Sequence, residues 1–343
     1  MSYPHPVLPE VLQTLEMLER DPELLARASE ILYRGGPWPK AVGLPIGAAM
    51  ALLRERGYQP PQGQFSLLAS IVAALTAWRL TKGAYLLDPD LWRELRETRL
   101  ERIPVEVLLR QPELAPLILL PEPLEIGGFQ IDAFHLYFDW DPGRPGIPPH
   151  LEARFLFWIR EEGGYQGGSL VLDLDREDLE ACVEATLRRT PILQEAGAEE
   201  GRMSEAERAY LSALLSAGLY LASEEPDIAG APRPRPRAPR KWKHLGTPRQ
   251  PLLLPTGWRW GAALRKARAA QERGEPGPPG GRTVAPHVRR AHWHLYWVGE
   301  GSRKDPSKAQ ARLRWVAATL VGARGLEPED LPVVVRRVEP QKG

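Results

Sequence analysis

Asparagine is absent from the chain, and cysteine occurs once, at Cys182. A single thiol excludes an intrachain disulfide framework and a cysteine-rich zinc site. It suits a reducing cytosol. Lysine is scarce too, outnumbered by arginine 37 to 8. Those biases fit a GC-rich or a thermophilic source, and composition does not separate the two. No window reaches the ~18–20 uncharged apolar residues of a membrane span. The longest apolar run, residues 67–78, is too short and carries Ser70 and Thr76. Residues 1–11 have no basic segment followed by an apolar one, so no secretory signal is expected, and the expected location is the cytoplasm. Several catalytic signatures are also missing. There is no G-x-x-x-x-G-K-S/T phosphate loop, no G-x-G-x-x-G after a strand and no H-E-x-x-H. Gly167-Gly168-Ser169 lacks the spacing of a nucleophile elbow. No small-molecule cofactor and no resident metal are therefore expected.

What is present is divided unevenly. The 343 residues carry 45 basic and 44 acidic side chains, a formal net charge of +1. A cut after Asp227 leaves 21 basic and 36 acidic side chains in residues 1–227, net −15. Residues 228–343 hold 24 basic and 8 acidic, net +16, and the two parts sum to +1. A basic module that meets polyanions, carried on an acidic body, is the expectation. With 43% hydrophobic and 26% charged residues, the chain is globular rather than disordered.

The predicted class is α+β. Apolar spacing predicts helices over 7–33, broken near Pro22, then 45–56, 65–80 and 89–98, with Asp88 capping the last. Residues 65–80 are apolar nearly all round and predict the central helix of an N-terminal bundle. From about residue 115, runs at 118–120, 129–140, 151–160 and 169–173 are rich in β-branched and aromatic residues. Glycine and proline separate them, as in an antiparallel meander. Helices are predicted at about 176–189 and 204–223, the second opened by the Ser204/Glu207 capping pair. The domain reading is a helical region at 1–115 and a sheet with helices at 116–227, forming one body. A Pro/Arg-rich linker at 228–256 and a basic C-terminal module at 257–343 follow. Within the module, 257–272 reads as a basic helix and 274–281 as a loop. Strands are predicted at 287–298, 311–321 and 332–338. No repeat of 20–50 residues is evident.

Two small features have ordinary explanations. Asp173 and Asp175, two apart, have the spacing to share a metal, but the ordinary reading is a strand end followed by a helix N-terminus. Cys182 lies mid-helix among apolar residues and reads as core.

The segment Pro286-His287-Val288-Arg289-Arg290-Ala291-His292-Trp293-His294-Leu295-Tyr296-Trp297 stands out. It holds three of seven histidines and two of eleven tryptophans. As a strand, period two sorts it into faces. His287 and Arg289 begin a face that turns apolar through Trp293, Leu295 and Trp297. The other face carries Arg290, His292, His294 and Tyr296. Ala311, Leu313 and Trp315 split likewise from Arg312 and Arg314. An antiparallel hairpin then places Trp293, Trp297, Leu313 and Trp315 in a core and the six polar side chains on an open face. Several chemistries suit that face. It can contact RNA phosphates and stack bases. It can cut RNA without metal, with His292 and His294 as the candidate acid and base, so enzyme activity stays open. A metal on the two histidines is disfavoured, since no carboxylate or thiol is near in sequence and the arginines repel a cation. An ordinary basic surface hairpin also fits. The polybasic stretch with Arg233, Arg235, Arg237, Lys241, Trp242 and Lys243 is either a solvated polyproline-like tether or a second RNA contact.

The hairpin segment, with Arg312-Leu313-Arg314-Trp315, resembles the C-terminal signature of the second family of type V-A anti-CRISPR proteins. Two shorter pieces agree in order. They are Ala77-Trp78-Arg79 with Gly83-Ala84-Tyr85-Leu86-Leu87-Asp88, and Glu225-Pro226-Asp227-Ile228. The resemblance implies a phage- or mobile-element-borne protein acting in a bacterial host against a type V-A CRISPR effector nuclease. It implies recognition of the effector's nascent N-terminal chain and loss of its message. The implied partners are that nascent chain and RNA or the ribosome, with no membrane.

Overall fold

The computed structural model describes residues 5–59, 61, 64–126, 128–146, 148–160, 163–174, 176–189, 205–262, 265, 287–289, 291–299, 309–316 and 319–321. Of residues 166–171, 189, 287–289 and 319–321, the backbone alone is described.

The chain opens with four helices: α1 (Val7–Glu19), α2 (Pro22–Arg34), α3 (Ile46–Glu55) and α4 (Gln64–Trp78). The break between α1 and α2 has a local cause. Pro22 occupies the first position of α2, and the Asp21 carboxylate caps it by accepting from the Leu24 N–H at 3.0 Å. The C-terminal part of α4 is buried almost continuously from Ala69 to Trp78, as its all-round apolar character requires. There follow β1 (Gly83–Leu87), α5 (Pro89–Glu97), α6 (Val105–Leu108), β2 (Leu117–Ile126), β3 (Phe129–Asp141), β4 (His150–Ile159) and β5 (Gly164–Asp173). Then come α7 (Leu179–Arg189), α8 (Glu205–Ala222), a short 3-10 turn (Trp242–His244), β6 (Leu252–Thr256), β7 (His287–Arg289), β8 (His292–Val298), β9 (Gln310–Val316) and β10 (Thr319–Val321). Asp88 caps α5 as expected, accepting from the Asp90 N–H at 2.9 Å.

The first six strands form one sheet in the order β5-β4-β3-β2-β1-β6. The meander β2 to β5 is antiparallel. At the other side β1 runs parallel to both β2 and β6, so the sheet is mixed. Strand period sorts residues onto two faces. Phe134, Leu136 and Phe138 of β3 join a core with α5 to α8, whereas Ala133 and Tyr137 join a core with α1 to α4. Each fully buried phenylalanine contributes about 1.5–3 kcal/mol relative to exposure. The result is three layers, helices on either side of one sheet.

Three sequence expectations change in detail. Strand β1 has no counterpart among the predicted strands. It is short and buried on both faces, so it lacks the alternation that marks half-exposed strands. Strand β6 lies inside the stretch read as a linker. Pro255 masks it in sequence, but β6 is an edge strand, where a missing N–H is tolerated. The single strand expected at 287–298 is two, β7 and β8, and β7 pairs with β10 rather than with β9. Residues 258–262 are helical, as predicted for the start of 257–272. The loop at 274–281, the strand at 332–338, Ser204 and Asp175 lie outside the described residues.

Candidate nucleic-acid interface on the C-terminal hairpin

Strands β8 and β9 pair antiparallel, as the sequence predicts. Trp293 lies across from Trp315, His294 from Arg314, Leu295 from Leu313 and Tyr296 from Arg312. The inward face packs on the α5–α8 side of the body. Ala311, Leu313 and Trp315 are buried, and Trp293 and Leu295 pack against the same core. The Trp315 ring meets Tyr220 of α8 and Trp260 edge-on, each with centroids 5.7 Å apart. Such aromatic pairs add about 0.5–1.5 kcal/mol each beyond burial. Trp297 corrects the expected core. It stays 47% exposed, because it lies past Leu295, toward the end of the hairpin where β8 runs into the connection to β9.

The free edge of β9 is covered by the body. The Leu313 carbonyl accepts from the Glu224 N–H at 2.8 Å, and the Ala311 carbonyl accepts from the Arg110 guanidinium. Edge strands need such cover to avoid pairing with another chain.

The outward face carries His292, His294, Tyr296, Arg312 and Arg314. His294 is exposed and stacks on Tyr296, with centroids 6.0 Å apart and planes 25° apart. His292 and Tyr296 are half-buried. The two guanidiniums each have a carboxylate partner from the residues just after α8. Arg312 binds Glu224, and Arg314 binds Glu225 at 2.8 Å. The arginines remain about two-fifths exposed, at 42% and 40%. Arg290 lies outside the described residues, and His287 and Arg289 are placed only as backbone in β7.

The polybasic stretch lies elsewhere. The Arg233 guanidinium donates to the Thr81 and Gln250 carbonyls, at 3.2 and 2.7 Å. Tyr33 of α2 donates its hydroxyl to the Pro236 carbonyl at 2.6 Å, and its ring lies 5.3 Å from that of Trp242. Trp242 is thus half-buried against α2, while Arg235, Arg237, Lys241 and Lys243 are exposed. Leu245 packs with the α1–α4 core, whereas the hairpin packs on the opposite side of the sheet. The two groups of basic candidates therefore occupy different layers.

Sequence reasoning missed the joint between the halves. The Glu225-Pro226-Asp227-Ile228 segment is that joint. Asp227 accepts at its carbonyl from the Gly257 N–H and at its carboxylate from the Arg259 N–H, both within 2.7 Å. Arg265 bonds Asp88 and Asp90 on α5. Acidic side chains of the body thus pair with arginines of the basic part at several points. The charge change at residue 227 was the visible signal of this joint.

A second buried cluster involves Glu113. Both of its carboxyl oxygens lack a well-formed hydrogen bond and pack on the Cα of Gly83, where a Cβ would come within 2.1 Å. Burial pushes its pKa up to about 7, against the opposing pull of Thr81, Tyr85 and the Gly83 N–H beside it. In the core on the α1–α4 side of the sheet, burial pushes the His135 pKa down to about 4. No helix among the described residues is long and apolar enough to cross a membrane.

A model of the AcrVA2-like family, the Anti-CRISPR type V subtype A2 family, matches residues 85–323. That span runs from β1 through β10 and includes the whole hairpin. The crystal structure of AcrVA2 superposes with a TM-score of 0.65 at 19% identity, covering 92% of this chain and 99% of that chain. At that identity the likeness speaks to fold. No curated protein sequence matches the chain. The family match over most of the chain and the hairpin signature inside it lead to one conclusion: the chain belongs to the AcrVA2-like family of anti-CRISPR proteins.

Proposed function

We propose that this protein inhibits a type V-A CRISPR effector by lowering its synthesis. In this reading the layered body recognises the effector's nascent chain. The outward face of the β8–β9 hairpin touches RNA or the ribosome, and the effector's message is lost. One observation carries the reading. Ala311, Leu313 and Trp315 of the hairpin are committed to the core, while its outward side presents the His294–Tyr296 stack beside Arg314 and Arg312. A ring pair offers a base a stacking surface, at about 1–3 kcal/mol per base. Guanidiniums offer phosphates bidentate contacts. Their glutamate partners weaken the bare positive field, so contact with RNA requires exchange of Glu224 and Glu225 for phosphate.

Purified protein incubated with effector message, without ribosomes, discriminates the mechanism of message loss. Intact RNA supports recruitment of host machinery. Cleavage abolished by His292→Ala or His294→Ala makes the hairpin itself a metal-independent ribonuclease.

A further inference from the structure

The end of the β3–β4–β5 meander gathers a second set of polar groups, far in sequence from the hairpin. Asp141 pairs in register with His150, and Glu152 pairs with Asp139 on one side and Asp173 on the other. Cross-strand partners share a face, and so do residues two apart on a strand. All five side chains therefore stand on the same face of the sheet, at its end. One donor atom from each of Asp141, His150 and Glu152 lies within 4.8 Å of the other two. We propose that Asp141, His150 and Glu152 form a binding site for one divalent transition-metal ion of the zinc type.

Four observations point to a ligand rather than to ordinary surface acidity. The first is the imidazole. Its Nδ1 lies 3.2 Å from the Pro148 carbonyl, which can only accept, so Nδ1 carries the proton. In that tautomer the lone pair is on Nε2, and a carbonyl that accepts from the other ring nitrogen is the usual support of a metal-binding histidine. The second is distance. Nε2 lies 3.5 Å from Glu152 Oε1. That is long for a hydrogen bond. It is close to the ~3.4 Å edge between ligands of a tetrahedral ion with bonds of about 2.0–2.1 Å.

The third is the other oxygen of each carboxylate. Glu152 Oε2 accepts from Arg154 Nε at 2.9 Å, which leaves Oε1 facing the imidazole. Asp141 Oδ1 accepts from the Gly143 N–H at 2.7 Å, which leaves Oδ2 for an ion. The fourth is charge. Among the described residues, Asp139, Asp141, Glu152 and Asp173 bring four carboxylates together, with Arg154 paired to Asp139 and Glu152, and Glu152 is buried. Asp139 is already engaged by the Ile46 N–H, the Trp140 N–H and Arg154, so it supports the site rather than ligating. A dication offsets most of the remaining charge, and one histidine with carboxylates suits zinc-type ions. The ion would clip the β3–β4 turn and raise stability by mass action.

The test is titration of the full chain, stripped of metal, with Zn2+ alone at pH 7.5, read by calorimetry and elemental analysis. The expected result is one ion per chain, lost in His150→Ala and weakened at least about 10-fold in Asp141→Asn. His292→Ala/His294→Ala keeps full stoichiometry, which separates this site from the hairpin histidines. Co2+ in place of Zn2+ should give visible absorption bands in the wild type that vanish in His150→Ala. Circular dichroism without metal confirms that each variant is folded. No stoichiometric uptake, or uptake that survives in His150→Ala, would overturn the proposal.

Discussion

Arg314 of β9 reaches Glu225 at 2.8 Å, across the point where the chain changes from acidic to basic. Glu225 adopts a left-handed backbone with φ of 53°, a conformation uncommon outside glycine. With Arg312–Glu224 and Arg259–Asp227, the pair shows that part of the charge asymmetry is used inside the molecule. Exposed pairs contribute roughly 0–1 kcal/mol each, so their effect is on docking and on the local field more than on stability.

Removing these partners should bare the hairpin arginines. Glu224→Gln/Glu225→Gln is expected to raise RNA affinity several-fold at low salt. Each further phosphate neutralised by a bared guanidinium steepens the slope of log affinity against log salt by about 0.7–0.9. Filter binding across a salt series measures both. An unchanged affinity and slope would mean that RNA does not reach these arginines.

The two tryptophans at opposite ends of the hairpin should behave differently. Trp315→Ala empties a site between Tyr220 and Trp260 and should cost about 3–5 kcal/mol. Trp297→Ala, at an exposed position, should change stability by no more than about 0.5 kcal/mol. Urea unfolding of both variants checks the contrast.

Glu113 should make the fold less stable as pH rises. Its pKa is about 7 when folded and near the ordinary 4.5 when unfolded. Between those values the folded state holds more protons, so stability is full below 4.5 and is lost as pH rises through 7. The shift corresponds to a loss on the order of 3 kcal/mol. Glu113→Gln should flatten this part of the pH profile, and denaturant titrations at pH 5 and pH 8 would show it.

His135 acts in the opposite sense. Its Nε2 accepts from the Tyr165 hydroxyl at 2.7 Å, and Nδ1–H donates to the Ala115 carbonyl at 3.2 Å. Burial holds its pKa near 4, against an ordinary 6.5. Between those values the unfolded state binds more protons, so stability is full above 6.5 and is lost as pH falls through 4. The loss is again on the order of 3 kcal/mol. His135→Gln, which keeps polar capacity, should reduce the acid sensitivity of unfolding between pH 6.5 and 4.

Much of this architecture is legible in the sequence. Helical spacing locates α1 to α5, and period two places Leu313 and Trp315 inside the hairpin and His294 outside it. The parts that are not legible depend on tertiary pairing. Strand β1 is too short and too buried to alternate, and β6 is hidden by Pro255 within a proline-rich stretch. The partners of Arg312 and Arg314 lie almost ninety residues away, at Glu224 and Glu225, beyond any local pattern. Asp141 and His150 are nine residues apart and meet only because β3 and β4 pair in one register. Trp242 reads as a free aromatic among cations, and only the fold brings it to Tyr33.

The most direct measurement is co-expression of this protein with a type V-A effector, following effector message and effector protein together. The account predicts that both fall, and that His294→Ala/Tyr296→Ala, folded by circular dichroism, restores them. Effector message and protein that stay unchanged while this protein accumulates would contradict it.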